Sequence, residues 1–583
     1  MIVKNTELII NEFNNDISEE IKSENNLDSN EIIKRILTNK LDRARSNLIF
    51  HSDAESFSIK FQSILDEINK KHLKVSENER ISFMLFLALI CIDLMSFLPE
   101  WHLSKFLNKE NINKYFNKSI ALLEKLEKIH PLEMQKIIEE FRLFHSARLK
   151  AEGVKKETDI KKKIDLLIGD SITSFVVNII KEINKSNLLK IAKSRSEFDF
   201  ATEIGNDYPA FLQYAIWLGA SFVTTNPVLI KIAWDINPNY WNIKIDQIIK
   251  LLYNKKDLEE FISKKNNKIN IAIEKINRHI TMAVVEENCL LLRDIFLLTG
   301  GSSGYVSLQV NPKNHSSPNK MVKEALYIYK ELKKKLGGVP NIVFKLPATS
   351  GGKEAAKILT SRGIGVNITL TFSVFQGLEV AKVLNEGKAP VSFISFMNGR
   401  MAFPVRDELI RKKIKNGESC AQMAGVVVVR KLYKRLYSCN NKMGLCIDKK
   451  KVKLLTASLR VYGDYVPDIS ELCGIPVITV FPDIRRSFDT TDRILTFNSI
   501  DNLNPEDVLG VLLKSEIFRQ AWWIPGDPED LRPEMDLNLS SDDSKKIEKW
   551  EPVAKTLEQF ISFYDQMGDI VIGRIKNMVD KTI

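Results

Sequence analysis

The chain has 583 residues, more than one ordinary core, so two or more domains are the default. Hydrophobic residues at 44% and charged residues at 27% exclude a disordered chain. The net charge of +11 lies in lysine-rich stretches such as KKKIDLL and YKELKKKLG, without the aromatic–basic platforms or finger spacings of nucleic-acid binders; an anionic small substrate is the expected partner.

Residues 1–192 read as successive helices, with apolar residues recurring at three and four, as in SIALLEKLEKI and MQKIIEEFRLF. The opening MIVKNTELIINEFNND has neither a cationic start nor a continuous apolar core, so no signal peptide is expected. Ile81 to Leu98 is the one membrane candidate, but Asp93 interrupts it and it barely reaches a span, which makes a buried helix the expectation. His51, His72, His102, His130 and His145 stand at no metal-ligand spacing. This all-helical region carries no chemical motif, and three roles stay open for it: forming a homo-oligomer, capping an active site or holding another protein. The six cysteines (91, 289, 420, 439, 446, 473) contain no CxxC pair, the usage of a reducing compartment, so a cytoplasmic protein without a metal or cofactor is expected.

From residue 193 the pattern changes to short apolar runs alternating with helical stretches. The runs are EFDFAT (197–202), SFVTTN (221–226), YVSLQV (305–310), NIVFKLPA (341–348), GVNITLTF (365–372), VSFISFM (391–397), KLLTASLR (453–460) and IPVITVFP (475–482). Eight βα units predict a (β/α)8 barrel over 193–583, with helices packed on it from about 500 to 583. The other arrangement, an open doubly wound sheet, lacks a GxGxxG turn after its first strand, and ATSGGKEA is no Walker loop.

Lys345 interrupts the apolar run of the fourth strand, and a buried lysine needs a partner or a use. Apolar walls disfavour its charged form, and a neutral amine can attack a ketone to form a Schiff base. Polar residues share one face of several other strands: Asn367, Thr369 and Thr371 against Val366, Ile368, Leu370 and Phe372, which are expected under the helices. Cleaving a carbon–carbon bond beside the iminium needs a carboxylate, for which Asp199 is the candidate and Glu203 the rival. Gln309 and Thr369 can hold a relaying water. Arg400 and Arg460, with Ser458, can grip a phosphate.

The motifs SFVTTNPVLI, VSLQV, NIVFKLPAT, GIGVNITLTFS, FISFMNGRM and LLTASLR resemble, in order and spacing, the transaldolase family of class I aldolases, over about residues 196–485. The resemblance implies a barrel whose fourth strand carries the Schiff-base lysine, Lys345. It implies that Asn367 and Ser395 contact a dihydroxyacetone unit, that Thr224, Thr225 and Asn226 form the loop ending strand two, and that Arg400, Ser458 and Arg460 hold phosphate. Sugar phosphates, no nucleic acid and no membrane are the partners implied. Three positions depart from the family. Gln309 replaces the glutamate of typical transaldolases, as in the fructose-6-phosphate aldolase branch. Met397 stands where that branch uses a tyrosine, and Asp199 is followed by Phe200 instead of threonine. The expectation is transfer of a dihydroxyacetone unit between sugar phosphates in the pentose phosphate pathway. Aldol cleavage and a non-catalytic sugar-phosphate-binding scaffold are the alternatives.

Overall fold

Strands form where β-branched and aromatic residues run between turn signals, and eight such segments among the described residues pair in parallel, each with the next in sequence. They are β1 (Glu203–Asn206), β2 (Ala220–Thr224), β3 (Tyr305–Gln309), β4 (Ile342–Pro347), β5 (Val366–Thr371), β6 (Ser392–Met397), β7 (Val452–Ala457) and β8 (Val477–Val480). β1 pairs with β8 as well as β2, so the sheet closes into a barrel. The computed structural model describes residues 2–101, 109–194, 202–263, 267–439, 444–535, 537 and 544–580. One strand differs from expectation: the first is Glu203–Asn206, not 197–202. Of the expected run only Thr202 is described, and it already lies outside the sheet, its hydroxyl accepting from the Gly474 N–H at 2.7 Å.

The barrel interior is layered. At the N-terminal end of the strands Lys453 Nζ pairs with the Glu203 carboxylate, which also accepts from Ser221 and Ser303 at 2.9 Å. Above this pair an aromatic layer spans the barrel, with Phe393 4.5 Å from Phe222 and 6.0 Å from Tyr305 between ring centroids. Above the rings a hydrogen-bonded chain crosses three strands: Ser395 Oγ donates to Asn367 Oδ1 at 2.7 Å, and Asn367 Nδ2 donates to Ser307 Oγ at 2.8 Å. All three residues are fully buried, so each must have its partner to avoid a desolvation cost of about 1–3 kcal/mol.

Among the described residues, ten α-helices precede β1. The apolar Ile81–Leu98 stretch lies largely in the helix Glu77–Met95, whose Asp93 is buried against Arg45 Nε at 2.6 Å and Trp217 Nε1 at 2.7 Å. No helix among the described residues is long and apolar enough to cross a membrane. Buried apolar residues of these helices and of the barrel form one continuous cluster. After the barrel, the 30-residue helix Glu551–Asp580 packs across its C-terminal face, touching the helix after β2 and residues of β5. Cys439 and Cys446, seven residues apart, form a disulfide with Cα atoms at 4.5 Å, a pairing that the lack of any CxxC spacing does not foretell. The other four cysteines are free thiols.

Candidate active site

The strand register brings the chemistry together. Gln309 pairs with Lys345 across β3–β4, and Lys345 pairs with Asn367 across β4–β5, so the lysine is flanked by two amides. Lys345 is only 3% exposed. Burial is the main cause that lowers its pKa to about 8; Arg400 lowers it further, while the charge of Asp207 pulls it back up. At neutral pH a usable fraction of this amine is unprotonated, which the ordinary lysine value of 10.5 would not allow.

Asp207, the residue after β1, is a carboxylate whose charge acts on Lys345 and which the sequence reading does not single out. Its Oδ1 accepts from Thr224 Oγ1, at the end of β2. Asp199, the expected carboxylate, lies outside the described residues. Glu203 belongs to the Lys453 pair at the opposite end of the barrel, below the aromatic layer. The signal that could have found Asp207 is its distance from the TTNP loop: a short helix at Leu212–Trp217 and β2 fill that interval.

Two cations converge from β6 and β7. Arg400 is in the first turn of the helix Asn398–Arg411. Burial lowers its pKa to about 10, Arg460 contributes in the same direction, and Asp207 opposes them. The two arginine loops are locked by Asp468, whose Oδ2 accepts the Arg460 N–H at 2.7 Å and whose Oδ1 accepts from Asn398 Nδ2. Burial raises the Asp468 carboxyl to about 7. Gly399 lets the loops touch: a Cβ there would lie 2.5 Å from the Ser458 carbonyl oxygen and 2.7 Å from Arg460 Cγ. Ser458 has φ +58 and gives its carbonyl to Arg460 Nη1 at 2.9 Å. Arg400 Nε is buried without an acceptor among the described residues, a donor free for an anion.

A narrow cleft of about 10 Å³, room for about one water, lies at Lys345, lined by Gln309, His315, Pro347, Thr369 and Leu370 and covered by Leu557 and Phe560. Gln309 Oε1 is buried there without a partner among the described residues. Thr369 Oγ1 lies 3.5 Å from Met397 Sδ, a weak acceptor, which leaves the hydroxyl available for a water or substrate. Leu370 departs from expectation: with φ +60 it breaks the alternation of β5, where the β5–β6 register shifts, and it lines this cleft instead of packing only beneath the helices. Asn226 caps the helix Pro227–Ile236, its Oδ1 accepting the Leu229 N–H at 2.9 Å, and Thr225 Oγ1 donates to the Ser307 carbonyl at 2.8 Å. The structure thus brings Lys345, Gln309, Asn367, Thr369, Ser395, Thr224, Asn226, Arg400, Ser458 and Arg460 to one end of the barrel, where Asn226 also caps a helix.

The family described as Transaldolase/Fructose-6-phosphate aldolase matches residues 209–517, more than half of the chain. Similar proteins include a transaldolase of Thiobacillus denitrificans, 30% identical over 30% of this chain and 42% of that protein. A transaldolase of Neisseria meningitidis is 30% identical over 35% of this chain and 61% of its own length. A probable transaldolase of Dictyostelium discoideum is 27% identical over 50% of this chain and 77% of that protein. The chain thus spans between two and about three fifths of the first two relatives. The family match begins beyond the helical region that precedes β1, and it contains Lys345 and both arginines. The chain belongs to the Transaldolase/Fructose-6-phosphate aldolase family.

Proposed function

We propose that the protein is a transaldolase, moving a dihydroxyacetone unit from a ketose phosphate (sedoheptulose 7-phosphate or fructose 6-phosphate) to an aldose phosphate (glyceraldehyde 3-phosphate or erythrose 4-phosphate). The observation that carries the reading is Lys345, buried with a lowered pKa between Gln309 and Asn367. Its neutral amine attacks the C2 ketone, and loss of water leaves an iminium. Asp207 takes the proton of the C4 hydroxyl, the C3–C4 bond breaks, its electron pair enters the iminium as an enamine, and the aldose phosphate leaves. The acceptor aldehyde reverses these steps, and water then releases the product ketose from Lys345. Asn367 and Ser395 hold the hydroxyls of the three-carbon unit, Thr369 and Gln309 the water, and Arg400 and Arg460 the phosphate. Such a reaction belongs to the pentose phosphate pathway and, for this chain, to the cytoplasm.

Gln309 favours a second reading, aldol cleavage in which the three-carbon unit is released to water. Borohydride reduction in the presence of fructose 6-phosphate, followed by peptide mapping, tests the common chemistry. A stable adduct on Lys345 that is absent from Lys345→Ala supports it. Folded protein that binds the sugar phosphate yet gives no adduct leaves the scaffold as the reading. Product formation that requires erythrose 4-phosphate distinguishes transfer from cleavage.

A further inference from the structure

We propose that the helical region before the barrel is part of the active site: the helix Pro131–Ala151, through Phe144, holds the loop that presents Asp207, which makes Phe144 a positioning residue. The proposal rests on the reading in which Asp207 carries the proton.

Asp207 begins a five-residue loop that ends at Phe211, the residue before the helix Leu212–Trp217. The barrel pins its backbone at four points. The Asp207 N–H donates to the Val480 carbonyl at 3.1 Å, Asn206 Nδ2 to the Tyr208 carbonyl at 2.5 Å and the Ala210 carbonyl at 3.5 Å, and Asn288 Nδ2 to the Pro209 carbonyl at 3.0 Å. The far end is different. Phe211 has φ +57 and ψ 26, a left-handed conformation that costs a residue with a side chain about 1–3 kcal/mol and survives only where the surroundings impose it. What imposes it is aromatic packing. The Phe211 ring meets the Phe144 ring edge to face, 5.2 Å apart at 82°, and stacks 6.1 Å from Tyr208. Tyr208 in turn packs on Phe481 at the end of β8 and shares a buried cluster with Ala151.

Phe144 itself is 41% exposed, so the ring is not there to fill the core of its own helix bundle. Its helix is fixed to the barrel independently. Glu152, the residue that ends it, accepts from Arg485 Nη2 at 2.9 Å and Arg148 Nη1 at 3.0 Å, and gives its carbonyl to Arg486 Nη1 at 3.2 Å. Arg485 and Arg486 lie on the helix Pro482–Asp489 that follows β8. Phe144 thus stands on a rigid support and closes the strained end of the Asp207 loop.

The test is steady-state kinetics of the full chain with fructose 6-phosphate and erythrose 4-phosphate. Phe144→Ala is expected to lower kcat roughly ten- to a hundredfold, the scale of a carboxylate misplaced by about 1 Å, with KM and Tm little changed. Phe144→Tyr, which keeps the ring contact, restores kcat. In an Asp207→Asn background Phe144→Ala should cause no further loss, because the group it positions is gone. Unchanged kcat in Phe144→Ala, or the same fold-loss in both backgrounds, overturns the proposal. Full activity of Asp207→Asn alone overturns the Asp207 role and this proposal with it, leaving the Lys345 adduct as an independent test of the family chemistry.

Discussion

At the scale of the residue, Lys345 links three quantities that one charge controls. Its folded pKa of about 8 lies below the unfolded 10.5, so between those values the folded state binds fewer protons and stability rises with pH. Below pH 8 the full penalty of the buried ammonium is present. A tenfold change in proton affinity is worth roughly 1.4 kcal/mol, so Lys345→Met is expected to raise stability at pH 7 by at most about 3.5 kcal/mol. The gain should vanish above pH 10.5, which Tm measured at both pH values checks. The two neighbouring charges make a second prediction of opposite signs. Asp207 holds the lysine pKa up, so Asp207→Asn moves the rising limb of adduct formation to lower pH. Arg400 holds it down, so Arg400→Gln moves the limb to higher pH. Rates of borohydride trapping from about pH 6 to about pH 10 report both, and shifts in the same direction would contradict the arrangement.

At the scale of the element, the strands are legible where composition and alternation agree. Lys345, Asn367 and Thr369 can be assigned because apolar neighbours on the opposite face leave them only the interior. β1 is not legible, because its four residues Glu203, Ile204, Gly205 and Asn206 contain one apolar side chain and a glycine. Closure of the barrel, a property of all eight strands, is what makes it a strand. The phenylalanines around Asp199 make a more strand-like run, so the sequence reading settles on Asp199, outside the described residues, and does not weigh Asp207. Leu370 is misassigned for a related reason: alternation presumes extended backbone, and a single left-handed residue ends it. The covering helix Glu551–Asp580 is readable as a helix but not as a roof, since nothing in an amphipathic stripe names the surface it meets. Phe560 is 1% exposed beneath it and borders the cleft. Phe560→Ala should cost about 3–5 kcal/mol of stability and admit water to the enamine, raising acceptor-independent release relative to transfer. Phe560→Leu should keep more of the transfer. Product ratios with and without erythrose 4-phosphate decide it.

At the scale of the whole molecule, the division between helical region and barrel that the sequence suggests hides how far they are joined. Arg148, Glu152 and Arg485 look in sequence like residues of solvated helix faces, yet they are 1%, 6% and 4% exposed. Their partners are invisible to any local pattern, because Glu152 and Arg485 are 333 residues apart. The same seam includes Asn187, whose Nδ2 donates to the Phe488 and Thr491 carbonyls at 2.8 Å, and Asp489, which accepts from Ser186 Oγ and the Asn187 N–H at 2.7 Å. Trp217 and Asp93 make a second seam beside β2. Removing one partner of a buried pair leaves an uncompensated charge, which typically costs about 3–5 kcal/mol. Glu152 faces both Arg148 and Arg485; Arg148 keeps Glu182 at 2.8 Å, so Glu152→Ala should place that cost on Arg485, at the seam with the barrel. If the two parts fold as one unit, calorimetry of the full chain gives a single transition, and Glu152→Ala lowers its midpoint without splitting it. Two transitions in the wild type, with only the first moved by Glu152→Ala, would mean that the helical region unfolds independently and that the seam does not couple it to the barrel.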